Sequence, residues 1–196
     1  LWPGPDPAGH LYGTVVVLLD GGRRLIRSRV APAFRAGESV YTDGSALHAG
    51  SPWAVAAGAA VQALPRERWL GCLPAAVAAY AVAGRLVPAG SPATSYGGEA
   101  HGLLLAGTLL DPHAAGEGGP PPGITRVVTD CLNAVRRLEA GRSRPAEPRD
   151  PWGGTFRAVA RALRGHLWAA VKTRAHRSRA EAEAQGDLED WRGNDV

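Results

Sequence analysis

The apolar pattern changes period part-way along the chain, and that change limits the folds open to it. Up to Val87 the apolar residues fall in short β-type runs: Thr14–Leu19, Arg24–Val30, Ser39–Thr42, the small-residue stretch Trp53–Gln62, and Tyr80–Val87. The first two flank Asp20-Gly21-Gly22, which predicts a hairpin. From Glu99 onward helices alternate with strands. Leu103, Ala106 and Leu110 recur at helical spacing, as do Leu132, Val135 and Leu138 in Cys131–Ala140, and Thr155–Arg164 is amphipathic. Ile124–Thr129 and Leu167–Thr173 read as strands between and after them. Strands, helix, strand, helix, helix, strand is the order of a mixed sheet with helices on its faces.

With 196 residues, the chain suffices for one compact domain with a core. The expected division is an N-terminal extension over 1–36, carrying the hairpin, and a main domain over 37–196. Residues 1–12, Asp111–Gly123 and Gly141–Gly154 are rich in Pro and Gly and read as a loose start, an inserted loop and a linker. A polar loop with His176 and a charged run, Arg177–Asp190, follow the last strand.

Lys172 is the only lysine, so nearly all positive charge is arginine within a composition dominated by Ala, Gly, Pro and Arg. That looks like coding bias, and the net charge of +4 permits a polyanionic partner without demanding one. Cys72 and Cys131 have no metal-type spacing and read as free thiols. No apolar run is long enough to span a membrane, and no signal peptide opens the chain. The chain starts at Leu1 and contains no methionine, which reads as a segment of a longer protein.

Three acids stand at the ends of these elements. Asp43 ends a strand, Glu99 opens a helix, and Asp130 ends a strand just before a helix. Each alone has an ordinary explanation as a turn residue, a helix-dipole acid or an N-cap. Together they offer hard oxygen ligands of the kind Mg²⁺ prefers. Clustered carboxylates raise one another's pKa unless a cation joins them.

The ordered series T-D-G-S at 42–45, S-Y-G-G-E-A at 95–100, V-V-T-D at 127–130, V-K-T-R-A-H-R-S at 171–178 and G-N-D-V at 193–196 resembles the ribonuclease H family. The K-x-x-A-H-R and G-N elements are closest to the domains that accompany reverse transcriptases. The resemblance spans Val40 to Val196. It implies a ribonuclease H-like α/β fold, with a central mixed five-stranded sheet flanked by helices and carrying loop insertions. It also implies hydrolysis of the RNA strand of RNA–DNA hybrids with two Mg²⁺ or Mn²⁺ ions, as part of a retroelement polyprotein. Asp43 would bridge both ions, Glu99 would hold one, and Asp130 would help hold the pair. His176 would assist proton transfer or product release, while His10, His48, His101, His113 and His166 match nothing and are left structural.

By the same resemblance, the backbone at Gly44 and Ser45 and the side chains of Asn133 and Asn194 would contact the hybrid's 2′-hydroxyls. A reverse transcriptase domain would share the parent chain, and residence would be intracellular, nuclear or cytoplasmic. The family's fourth metal-binding aspartate and its C-terminal helix would follow Val196, so the fragment itself is expected to be weak or inactive. The linker at 141–154 stands where relatives place a basic substrate-gripping helix, but Arg142, Arg144 and Arg149 lack helical pattern. The competing readings are a catalytically inactive nucleic-acid-binding or structural module, and another nuclease or transposase on the same fold.

Overall fold

A computed structural model describes residues 12–19, 22–28, 33–51, 54–66, 76–88, 90–111, 123–141, 150–174 and 177–195. The chain begins with the hairpin β1 (Tyr12–Leu19) and β2 (Gly22–Ser28), then β3 (Phe34–Arg35), β4 (Ser39–Leu47), β5 (Val55–Ala63) and β6 (Ala76–Leu86). Helix α1 (Ser95–Leu109) leads into β7 (Leu110–Asp111) and β8 (Thr125–Thr129). Helices α2 (Leu132–Gly141) and α3 (Gly153–Ala162), strand β9 (Trp168–Lys172), and helices α4 (Arg179–Gln185) and α5 (Leu188–Asp195) complete it.

Among the described residues, seven of the strands form one sheet in the order β2-β1-β6-β5-β4-β8-β9. Strands β6, β5, β4, β8 and β9 are the mixed five-stranded sheet that the resemblance implied. The pairs β6/β5 and β5/β4 are antiparallel, and β4/β8 and β8/β9 are parallel. Strand β1 pairs antiparallel with β6, so the hairpin lengthens the same sheet to seven strands. Strands β3 and β7 form a separate short parallel pair. Among the described residues, no helix is long and apolar enough to cross a membrane.

Alternate residues of one strand supply two cores on opposite faces, as strand geometry requires. Val40 and Ala60 join Leu103, Leu105, Ala106, Phe156, Val159 and Leu163 in the larger core, under α1 and α3. Tyr41 and Val61 face the other way and gather with Tyr80 and Val128. Helix α5 lies against β4 and β5 on that second face. There Asp190 accepts from the Tyr41 hydroxyl at 3.2 Å and pairs with Arg126 at 2.9 Å.

Three sequence expectations change. Asp43 lies in the middle of β4 rather than at its end, because pairing with β5 continues through Asp43↔Ala59 and Gly44↔Gly58 to Leu47↔Val55. Glu99 stands in the second turn of α1 rather than opening it, since Thr94 is the N-cap and accepts from Gly97 N at 3.0 Å. The charged run Arg177–Asp190, given no secondary structure from the sequence, falls largely in two helices, α4 and α5. Ser178 and Glu181 form a reciprocal capping box, and Gly186 closes α4 in the left-handed region at φ 74°. The loose start at 1–11, the insertion at 112–122, the linker at 142–149, and His176 lie outside the described residues.

Candidate metal centre

The parallel pairing of β4 with β8 sets two of the acids side by side. Its register pairs Thr42 with Thr129, and the residue after each is an aspartate, Asp43 and Asp130. Helix α1 brings the third acid across the sheet. Its approach depends on missing side chains: a Cβ at Gly44 would lie 2.0 Å from Glu99 N, and one at Gly98 would lie 2.4 Å from the Ala57 carbonyl oxygen. With both positions glycine, the helix backbone rests directly on β4 and β5. Carboxylate oxygens of Asp43, Glu99 and Asp130 thereby fall within 4.8 Å of one another.

The three differ in environment. Asp43 is exposed and Asp130 half-buried, whereas Glu99 is only 4% exposed. Its Oε1 accepts from Gly44 N at 3.0 Å, and its Oε2 accepts from the Thr129 hydroxyl at 2.9 Å. The Thr129 hydroxyl in turn accepts from Cys131 N at 3.1 Å, and Gly44 N also donates to Asp43 Oδ1 at 2.8 Å. Burial pushes the Glu99 carboxyl up to about 8, and the Asp43 and Asp130 carboxylates push it the same way against the pull of the Thr129 and Gly44 hydrogen bonds. A buried carboxylate amid like charges is costly without a cation, so the donor set fits a hard divalent ion.

The sequence motifs thus converge for three of the four expected catalytic residues. Ser45 is exposed beside Asp43, and Asn133 is exposed in the first turn of α2. Gly44 N–H is committed to the two carboxylates. Asn194 stands on α5, with its Oδ1 buried and without a hydrogen-bond partner. Sequence reading missed Thr129, which is fully buried and orients Glu99. The only signal was its place before Asp130 in V-V-T-D. It also passed over Trp152, whose ring packs over Gly97 at the start of α1.

Fold and site together define an α/β domain with a three-carboxylate cluster on adjacent parallel strands and a facing helix. No family model and no curated protein matches the chain. Solved structures that it resembles include ribonuclease H proteins and a protease–reverse transcriptase. LC9-RNase H1, described as a type 1 RNase H with the type 2 active-site motif, is 19% identical with a TM-score of 0.43, over 82% of this chain and 72% of that one. The PFV RNase H domain is 15% identical with a TM-score of 0.45, over 83% and 97%. The Prototype Foamy Virus protease–reverse transcriptase is 19% identical with a TM-score of 0.47, over 81% of this chain and 21% of that one.

Proposed function

We propose that this domain hydrolyses the RNA strand of RNA–DNA hybrids with two divalent ions, Mg²⁺ or Mn²⁺, held at Asp43, Glu99 and Asp130. The observation that carries this reading is the convergence of those three carboxylates within 4.8 Å. Such ions, when bound, activate a water and stabilise the leaving oxygen of the phosphodiester.

The chain's own residues do the rest. Thr129 and Gly44 fix Glu99 so that its carboxylate does not swing when charge arrives. Asp43, exposed on the sheet, is the most solvent-accessible of the three acids and would help hold the ions. Asp130 completes the cluster from β8. Ser45 and Asn133, both exposed, are assigned by the sequence resemblance to the minor groove, where 2′-hydroxyls distinguish a hybrid from DNA. Asn194 and His176 are assigned to substrate contact and to proton transfer or product release, respectively, on the strength of the sequence resemblance. A reverse transcriptase domain in the same parent chain and a retroelement origin rest on that resemblance too, as does the division at residue 36.

Substrate selectivity tests the reading. Labelled RNA–DNA hybrid, double-stranded RNA and double-stranded DNA of one sequence are incubated with protein and Mg²⁺ or Mn²⁺. Cleavage confined to the RNA strand of the hybrid supports it. Cleavage of the DNA strand, or equal cleavage of all three, contradicts it.

A further inference from the structure

Lys172 is the only lysine in the chain; its other permanently charged basic side chains are arginines. It ends β9, and the parallel register sets it beside Thr129 of β8. Residues paired from strand to strand share a face, so Lys172 stands on the face where the Thr129 hydroxyl meets Glu99. One strand spacing, about 4.8 Å, separates the two backbones. The next residue along β9 is Thr173, and the next along β8 is Asp130. Thr173 continues the pairing, its N–H donating to the Thr129 carbonyl at 3.0 Å. Lys172 Nζ donates to the Thr173 carbonyl at 2.9 Å. The ammonium therefore lies at the C-terminal end of β9, where β8 gives way to Asp130.

Basic neighbours of Lys172 are committed to acids. Arg126 pairs with Asp190, Arg137 with Asp150, Arg177 with Asp187 and Arg179 with Glu183. Lys172 is exposed, and among the described residues its ammonium pairs with no carboxylate. One of an ammonium's three N–H donors goes to Thr173, which leaves two for a group arriving from solvent. An exposed positive charge beside a cluster of carboxylates draws in an anion that the carboxylates alone would repel.

The residue type narrows what that anion is. A guanidinium here would offer a planar fork that fits a carboxylate through two parallel hydrogen bonds, and it would compete with a metal ion for Asp130. An ammonium is a compact point charge with rotatable donors, and it binds phosphate oxygens in that manner. Lysine in an otherwise arginine-based chain thus suits a phosphate contact beside acids that must stay open to metal.

We propose that the Lys172 ammonium holds a non-bridging oxygen of a backbone phosphate adjoining the phosphodiester at the acid cluster, approaching it from the β9 side. This rests on the nuclease reading for its substrate, but its binding tests do not require cleavage. The occupant is the sugar–phosphate backbone, so the contact carries no base preference.

The single lysine makes the test site-specific. The full chain is reductively methylated with isotope-labelled formaldehyde, which keeps the positive charge. Only Lys172 and the terminal amine take the label, and Lys172→Gln identifies the lysine signal by NMR. Ca²⁺ is supplied as an oxygen-seeking ion for the acids, and gels verify that the nucleic acid stays intact. Titration with a fluorescein-labelled 18-base-pair RNA–DNA hybrid should move the lysine signal, saturating together with binding followed by anisotropy. Unmethylated Lys172→Gln should bind about threefold more weakly or worse at 50 mM KCl. Its slope of log K against log salt, from 50 to 200 mM, should be shallower by about 0.9, the value of one lost phosphate contact. Lys172→Arg should keep the wild-type slope, which separates charge from folding. Mn²⁺ affinity by calorimetry should not fall in Lys172→Gln, which separates a phosphate contact from a part in holding the acids. A lysine signal that stays put while anisotropy reports binding overturns the proposal. So does a Lys172→Gln protein with wild-type affinity and slope, or one whose Mn²⁺ affinity falls as far as its hybrid affinity. If wild type binds through Lys172 but never cleaves with Mg²⁺ or Mn²⁺, the nuclease reading fails and the Lys172 contact stands. If it cleaves with no dependence on Lys172, the reverse holds.

Discussion

The Thr129 hydroxyl donates to Glu99 Oε2 at 2.9 Å, and both groups are almost wholly buried. The threonine thereby links β8 to α1 at the one acid that solvent cannot orient. Groups that hold metal-binding side chains commonly govern affinity as strongly as the ligands do. Thr129→Val keeps the shape and removes the hydroxyl, so Mn²⁺ affinity measured by calorimetry should fall by about 10- to 100-fold. Unchanged affinity would mean that Glu99 needs no such partner.

Without metal, Glu99 links stability to pH. Its carboxyl is raised from 4.5 to about 8, chiefly by burial. The folded protein therefore holds more protons than the unfolded chain between those values, and stability falls as pH rises through that window. The loss is on the order of a few kcal/mol, because each tenfold difference in proton affinity between the folded and unfolded states is worth about 1.4 kcal/mol. Urea unfolding in EDTA at pH 5 and pH 8 measures it. Glu99→Gln should flatten the difference, and a wild-type protein equally stable at both pH values would refute the linkage.

Metal binding must displace the Glu99 proton, so affinity should climb with pH up to about 8 and level off above it. Calorimetry in two buffers of different ionisation enthalpy should detect close to one proton released per site at pH 6.5 and little at pH 9. Mn²⁺ should also raise Tm, and EDTA should reverse the rise. Asp130→Asn should shrink that increment; an undiminished increment would place the metal elsewhere.

The contact between α1 and the sheet depends on backbone meeting backbone. Gly44→Ala would set a methyl 2.0 Å from Glu99 N, with no flexible side chain to yield. It should cost about 3 kcal/mol or more and lower metal affinity as Glu99 shifts. A stable Gly44→Ala protein with unchanged metal binding would show that α1 is not held this way.

How much of this was legible in the sequence varied by residue. Asp43 and Asp130 were findable because each ends a short apolar run, T-D-G-S and V-V-T-D, that the parallel pairing of β4 and β8 aligns. Glu99 was findable from the glycines around it, although its depth in the helix was misjudged because Thr94, five residues earlier, takes the cap. Thr129 looked like one more strand threonine, since its function appears only once α1 crosses above it. Helices α4 and α5 left a signal in Ser178, Glu181 and Gly186 that was overlooked, because R-A-E-A-E-A-Q has no apolar stripe to draw attention. The hairpin itself was local and visible. Its attachment to β6 was not, since that pairing joins residues far apart in the chain, from Leu19 with Ala76 to Tyr12 with Gly84, and depends on a register no local pattern encodes.

The most direct test of the central claim is cleavage of a 5′-labelled RNA–DNA hybrid by the purified protein, with Mg²⁺, with Mn²⁺ and with EDTA, beside Asp43→Asn. RNA-strand cleavage that needs metal and is lost in Asp43→Asn is the result expected. A folded wild-type protein that binds hybrid and metal but leaves the RNA intact, or an Asp43→Asn protein that cleaves as well as wild type, would contradict it.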